Sequence, residues 1–377
     1  MAAVVAIDLS RGGLRGVQVD SPYTSRPKIS RFASVEVPDG TVFDGEILDQ
    51  RRGADALNRL WKAGKFTTKK VVFGISNRKI VVREVTLPKP NGPRRKSALR
   101  FAVEGQVPID LDDAILDFLP LREVSIKGEP YEEGLLVATV RSSLESTVNA
   151  VERSGRYVDA IDFSGFALRR LLPAPQRGAQ AIINVGASTT TVVISTGTTP
   201  QFARIVASGG DDATRSIGRA LGISFAEAES DKKERGLRGG AVAARDVEAE
   251  AVLRESAASL IDSIRNTLNF WGHAHPEHPV SSAVLTGGGS RLNGLAAVLT
   301  RALGVAVEYG DTMSAFTVGR AVRGADLDRW ALELAAPLGV TIGARAAATP
   351  AAKSAKAGAA KGPKSGATKS AKKGGKK

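Results

Sequence analysis

Chemistry in this chain concentrates in three short polar turns that interrupt apolar strands. The first is Asp8-Leu9-Ser10-Arg11-Gly12-Gly13-Leu14, the second Asn184-Val185-Gly186-Ala187-Ser188-Thr189-Thr190, the third Thr286-Gly287-Gly288-Gly289-Ser290. Tight turns of Gly, Ser and Thr let backbone N–H groups approach phosphate oxygens closely, because small side chains leave room. Asp8, at a strand end, can hold water in the shell of Mg²⁺, an ion commonly bound through one or two carboxylates. Successive glycines before a helix let a nucleotide pass close to the backbone, and the helix N-terminus favours an anion. Taken singly, each turn also fits an ordinary hairpin or loop.

The first two turns are copies of one pattern. Val5-Ala6-Ile7-Asp8-Leu9-Ser10 overlays Ala181-Ile182-Ile183-Asn184-Val185-Gly186 at an offset of 176 residues, and residues 16–19 overlay 192–195 at the same offset. A repeat at this separation implies two like domains facing each other.

The elements that must position these turns alternate between strand and helix, which predicts an α/β architecture. Strands are expected at 4–9, 14–19, 29–37, 71–75 and 80–87, with a helix at 48–62. Pro88 to Pro93 breaks the pattern. A helix at 95–106, strands at 114–124 and 135–140 and a helix at 143–154 read as a small α/β insertion, about 88–158. A strand at 158–161 and a helix at 163–172 return to the first domain, and Pro173 and Pro175 mark its boundary. Strands at 181–185, 191–195 and 202–206 open the second domain. Three helical stretches follow; the longest carries Leu253, Ala257, Leu260, Ile261, Ile264 and Leu268 on one face. A strand at 283–285, a helix at 292–303 and a last helix ending near 344 complete it. The expected division is 1–179, 180–345 with a helical subdomain at 207–279, and a tail at 346–377.

Bulk properties narrow the classes. The 377 residues are 42% hydrophobic and 24% charged, as in globular domains, and contain no cysteine. A disulfide framework, a thiolate zinc site and a cysteine nucleophile are excluded. No apolar run approaches the ~18 residues of a membrane-spanning helix, and residues 2–7 read as a buried strand rather than a signal peptide. The net charge of +14 is uneven: nine lysines and no acidic residue fall within 346–377. That segment has no large apolar residue to offset ordering entropy, so a disordered basic tail is expected. It would either stay solvated or touch anionic membrane or nucleic acid. His273, His275 and His278 lie around Glu277, but nothing fixes a metal geometry, and a polar loop is the expected role. Trp61, Trp271 and Trp330 fall on helical patterns and are expected to pack. No Gly-x-Ser-x-Gly elbow or Gly-Lys-Ser/Thr phosphate loop is present.

The order of the three turns resembles the actin, DnaK-type chaperone and sugar-kinase superfamily: two phosphate hairpins, then an adenosine loop. Finer features resemble the PilM family of type IV pilus assembly proteins. These are Gly209-Gly210-Asp211, residues 220–225, Glu227-Ala228-Glu229 with Lys232, Phe101-Ala102-Val103-Glu104 with Val107-Pro108-Ile109, Leu116-Asp117-Phe118, and Asn269-Phe270-Trp271. The resemblance covers about residues 3–345. It implies two actin-like (ribonuclease H-like) domains around a cleft for ATP and Mg²⁺. It further implies a cytoplasmic protein, peripheral at the inner face of the membrane and related to the division protein FtsA. Its implied partner is the cytoplasmic N-terminal segment of a PilN-like inner-membrane protein, and self-association is also implied.

Carried over by position, Asp8, Ser10, Gly12 and Gly13 match the first phosphate motif, with Arg11 and Leu14 in the same loop. Gly186, Ser188 and Thr189 match the second, with Asn184 and Ala187 beside them. Gly209, Gly210 and Asp211 match the connecting segment, Glu229 and Lys232 the helix flanking adenosine, and Gly287, Gly288 and Gly289, followed by Ser290, the adenosine loop. Glu229 and Lys232 also fit a solvated helix face. The family usually has Asp where this chain has Asn184, and Asn cannot act as a general base. Binding with weak or absent hydrolysis is therefore expected. A small-molecule kinase and a polymerising, FtsA-like division protein are the alternatives.

Overall fold

Apolar alternation along the first strands gives them two working faces. Val5, Ile7 and Leu14 point to one side of the sheet, Val4, Ala6, Val17 and Val19 to the other. The structure, a computed structural model, describes residues 2–89, 99–101, 103–105, 107–237, 244–322 and 327–343. The tail at 346–377 and half of the expected 95–106 helix lie outside them.

The first half comprises β1 (Ala3–Ser10), β2 (Gly13–Asp20), β3 (Lys28–Val35), β4 (Val42–Phe43), β5 (Glu46–Ile47), α1 (Gln50–Gly64), β6 (Lys70–Ile75), β7 (Val81–Pro88), β8 (Ala114–Ile126), β9 (Glu129–Val140), α2 (Arg141–Arg153), β10 (Tyr157–Phe163) and α3 (Ser164–Leu171). The second comprises β11 (Ala179–Val185), β12 (Thr190–Thr196), β13 (Thr199–Val206), α4 (Gly210–Leu221), α5 (Phe225–Arg235), α6 (Ala244–Ala274), β14 (Val280–Thr286), α7 (Leu295–Leu303), β15 (Ala306–Tyr309), β16 (Thr317–Val318) and α8 (Ala335–Val340).

The two main sheets repeat one topology. Strands run β3-β2-β1-β6-β10 in the first and β13-β12-β11-β14-β15 in the second. In each, three antiparallel strands are extended by two parallel ones. Parallel neighbours need a crossover, and the crossover helices cover the outer faces. α1 and α2 bury Leu57, Leu60, Trp61, Ala150 and Val151 against Val5 and Ile7. α6 and α7 bury Leu260, Ile261, Ile264, Leu295 and Leu299 against Ala181, Ile183 and Val185.

The inner faces share one core. Val4, Ala6 and Val17 from the first sheet join Ile182 and Val193 from the second. Ala167, Leu168 and Leu171 of α3 and Leu338 and Val340 of α8 pack among them. α8 crosses α3 so closely that a Cβ on Gly339 would fall onto the Ala167 carbonyl.

Three placements differ from the sequence expectations. β7, expected as a strand of the first domain, pairs with β9 in a three-stranded sheet β7-β9-β8. The inserted sheet therefore begins at Val81, and α2, assigned to the insertion, packs on the first sheet with α1. The chain also leaves the second domain before its end. β16 pairs with β3, and α8 lies against α3, β1 and β6. The reason is the same each time: a short apolar element goes where a face needs covering, and sequence order does not record which. β4, β5, β15 and β16 are short strands that the sequence reading did not mark.

Candidate functional site

The shared inner face turns polar as the strands leave the core. Asp8 and Ser10 continue the Val4–Ala6 side of β1, and Arg15 stands directly opposite Asp8 on β2. Asn184 continues the Ile182 side of β11, with Thr191 opposite. The registers Asp8↔Arg15 and Asn184↔Thr191 correspond at the 176-residue offset. Both polar ends belong to the faces that meet in the shared core.

Arg15 is the most constrained cation of the first hairpin. Its Nη1 donates to Asp8 Oδ2 at 2.6 Å and to Ser10 Oγ at 2.8 Å, and its guanidinium lies 3.9 Å above the Trp330 ring. The residue is 9% exposed, and its Nε is a buried donor without a hydrogen-bond partner. Loss of water pushes the Asp8 pKa above the ordinary carboxylate value; Arg15 pulls it back, and Glu333 adds to the rise. The Asp8 side chain keeps 20% of its surface, so it is recessed rather than fully enclosed. Ser10 Oγ donates to the Gly13 carbonyl and ties the turn. Leu14 sends its side chain into the first-domain core, away from the site.

The second hairpin is built against its neighbours by backbone contacts. Gly186 N–H donates to the Thr189 carbonyl at 2.9 Å. The amides of Gly210 and Asp211, at the start of α4, donate to the carbonyls of Gly186 and Ala187 at 2.9 and 2.8 Å. A Cβ on Gly209 would sit 2.5 Å from the Ala187 oxygen, so only glycine fits there. Thr189 Oγ1 donates to the Ser76 carbonyl, Arg78 donates to the Ser188 carbonyl, and the Ser76 and Thr191 hydroxyls touch. The loop after β6 thus joins the first half to the second hairpin.

The glycine loop closes on the same place. Gly287 has φ +85°, and a Cβ there would strike the Val185 carbonyl. Gly289 faces Val185 and Gly186, and a Cβ on Gly210 would stand 3.7 Å from Gly289 Cα. Ser290 is fully buried and donates to the Gly287 carbonyl. Thr286 Oγ1 donates to Asn184 Oδ1 at 3.1 Å, which occupies that oxygen. Glu333 lies over Gly288 and pairs with Arg291.

Glu229 and Lys232 are not a solvated face. A capping box of Ser224 and Glu227 starts α5, which sets Phe225, Glu229 and Lys232 at i, i+4 and i+7 on one side. Lys232 is 8% exposed and donates to the Gly210 carbonyl at 2.9 Å and to Thr214 Oγ1 at 2.8 Å. Burial alone would raise the Glu229 pKa. The Lys232 ammonium, with Thr214 and Lys233, holds it below the ordinary value instead.

The residues fit a polyphosphate: small-residue hairpins from both halves, the buried Arg15 cation and the Lys232 ammonium. For Mg²⁺ the hairpin pair offers one carboxylate, Asp8, and the described residues contain no metal-holding group of three His, Asp or Glu. This donor set suits an ion that keeps its water and is held mainly by phosphate. His275 and His278 lie in the polar loop expected, whereas His273 falls in the last turn of α6; His275 stacks on Trp271, whose Nε1 donates to the His278 carbonyl. Arg15 escaped the sequence reading; Thr286, Phe225 and Trp330 figured in it, but not as site residues. Arg15 alone carried a signal, since period-two alternation across a two-residue turn sets it beside Asp8.

Two like halves meeting in a shared core, with small-residue hairpins and a glycine loop between them, define an actin-like protein. Among solved structures, the PilM–PilN type IV pilus biogenesis complex is similar with a TM-score of 0.78 and 23% identity, covering 90% of this chain and 97% of that one. MreB5 of Spiroplasma citri, bound to ADP, is similar with a TM-score of 0.50 and 12% identity, covering 95% and 99%. The family described as type IV pilus assembly protein PilM matches residues 6–344, and the chain belongs to that family. The cell division protein FtsA of Escherichia coli K12 is 24% identical over 229 residues, 54% of this chain and 53% of that protein. The chain thus spans about half the length of the curated relatives it matches. No helix among the described residues is long and apolar enough to cross a membrane.

Proposed function

We propose that the protein binds ATP between its two actin-like halves and serves as a nucleotide-dependent scaffold of the type IV pilus inner-membrane platform. The observation that carries the nucleotide reading is Arg15: a buried cation with a spare N–H, stacked on Trp330 beside Asp8, at the first of two matched hairpins. Mg²⁺ bound with the phosphates would neutralise their charge. Asp8 would hold that ion through water, Arg15 would orient Asp8, and Lys232 would add positive charge near the glycine loop. Asp8, Ser10, Gly12, Gly13, Asn184, Gly186 to Thr189, Gly209, Gly210, Glu229, Lys232 and Gly287 to Ser290 are the residues assigned to line the nucleotide; Arg11 and Asp211, expected there too, pair with each other at its rim instead. Leu14 would contribute backbone only.

Family membership and the likeness to PilM in its solved complex with PilN support the partner reading. The protein would hold the cytoplasmic N-terminal segment of a PilN-like membrane protein, and that segment would keep it peripheral at the inner face of the membrane. ATP tunes this grip only if it prefers one arrangement of the halves. With Asn184 in place of a carboxylate, the site acts as a clamp and switch rather than an efficient ATPase.

The test is a titration of ATP, and of the partner's N-terminal peptide with and without ATP, into wild type and Asp8→Ala. The expected result is weaker binding of both by the variant. Equal peptide affinity with and without ATP would sink the coupling, and no ATP binding by wild type would sink the cleft reading.

A further inference from the structure

We propose that Arg11 latches the mouth of the cleft and sets the rate of nucleotide exchange; this rests on the nucleotide reading above. Arg11 lies in the two-residue turn between β1 and β2, on the first half. Its Nη1 donates to Asp211 Oδ2 at 3.4 Å, and its guanidinium carbon lies 3.9 Å from the centre of the Phe225 ring. Asp211 belongs to the first turn of α4 and Phe225 opens α5, both in the second half. The side chain thus spans the two halves with two independent contacts.

The hairpin does not need this arginine. Its turn is tied by Ser10 Oγ to the Gly13 carbonyl, and its register is held by backbone pairing down to Ala3. Asp39 is only a loose second partner, 4.0 Å away and 92% exposed. Asp211 is placed by the site itself, since its amide donates to the Ala187 carbonyl of the second hairpin. The latch therefore joins the tip of one phosphate hairpin to the segment packed on the other.

Both contacts exist only while the halves are together. Losing them favours the open arrangement whether or not nucleotide is bound. A partly buried ion pair and a cation over an aromatic ring each supply a few-fold bias, so together about five-fold. Entry and release should both quicken, and affinity should change less than either rate.

The test is stopped-flow binding and chase of a fluorescent ATP analogue on the full chain. Arg11→Gln should speed release about five-fold, speed association as well, and leave affinity within about two-fold. The exchanged pair, Arg11→Asp with Asp211→Arg, should return both rates toward wild type. Unchanged release from Arg11→Gln would overturn the latch. So would slower association with lost affinity, which would make Arg11 a direct phosphate ligand. Amide hydrogen exchange over 8–13 and 209–225 in nucleotide-free protein separates the two readings. If the analogue does not bind wild type, the nucleotide reading fails. Faster exchange in Arg11→Gln would still support the latch, and unchanged exchange would overturn it.

Discussion

Asp8 and Asn184 hold equivalent places in the repeat, and their surroundings explain why they are not equivalent chemically. Asp8 carries a charge that Arg15 balances at 2.6 Å. Asn184 carries none and spends its side-chain oxygen on the Thr286 hydroxyl. Asn184→Asp would place a second carboxylate beside the cleft. ATP turnover, followed by phosphate release, should rise in this variant above a low wild-type rate. Equal turnover in the two would remove the link between Asn184 and weak hydrolysis. Glu229 gives a pH prediction. Its folded pKa lies below the ordinary value, so its ionised form contributes stability at neutral pH, and this is lost as pH falls through the depressed folded value. Glu229→Gln should be less stable at neutral pH by about 1–3 kcal/mol, because Lys232 is left buried with its ion partner gone. The gap from wild type should close in acid, as read from denaturant melts at several pH values.

At the scale of elements, the α3–α8 crossing is the joint on which the halves meet. Gly339 is there because two helix backbones touch, and a Cβ would fall onto the Ala167 carbonyl. Gly339→Ala must push the helices apart and disturb the core that holds Ile182, Val193, Leu168 and Leu338. A loss of about 1–3 kcal/mol is expected from such overpacking, measured by thermal melts. Nucleotide affinity should change as well, although Gly339 belongs to no hairpin, because both sheets hang on this joint. The elements themselves were largely legible in the sequence. Strand alternation and the amphipathic face of α6 are local signals, and local signals survive folding. The ownership of β7, α2 and α8 was not legible, because an apolar strand or helix looks alike whichever sheet it covers.

The whole molecule is a repeat closed into a clamp, with its C-terminal segment returning to the first half through β16 and α8. That return ties the second half to the first at two chain crossings, the α3–β11 link and the segment leading to α8. The basic tail at 346–377 follows. Any attachment it makes to anionic lipid would be purely electrostatic, since it carries nine lysines and no large apolar residue. Binding to anionic vesicles should then fall away as salt rises from about 0.05 to 0.5 M, and removal of the tail should abolish it. Vesicle binding that persists at high salt would exclude this mode.

The sequence by itself determined the three turns, the 176-residue repeat, the asymmetry of Asp8 and Asn184 and the strands that carry them. These are written in neighbouring residues, where spacing of two or of three and four fixes which side chains share a face. The tertiary structure alone decided what each charge does. Arg15 meets Trp330, Arg11 meets Asp211 and Phe225, and Lys232 is buried under Gly210. In each case the two partners come from separate elements, two of the three pairs from opposite ends or halves of the chain. Such pairs leave no local pattern, because their energy exists only once elements separated in sequence have packed together.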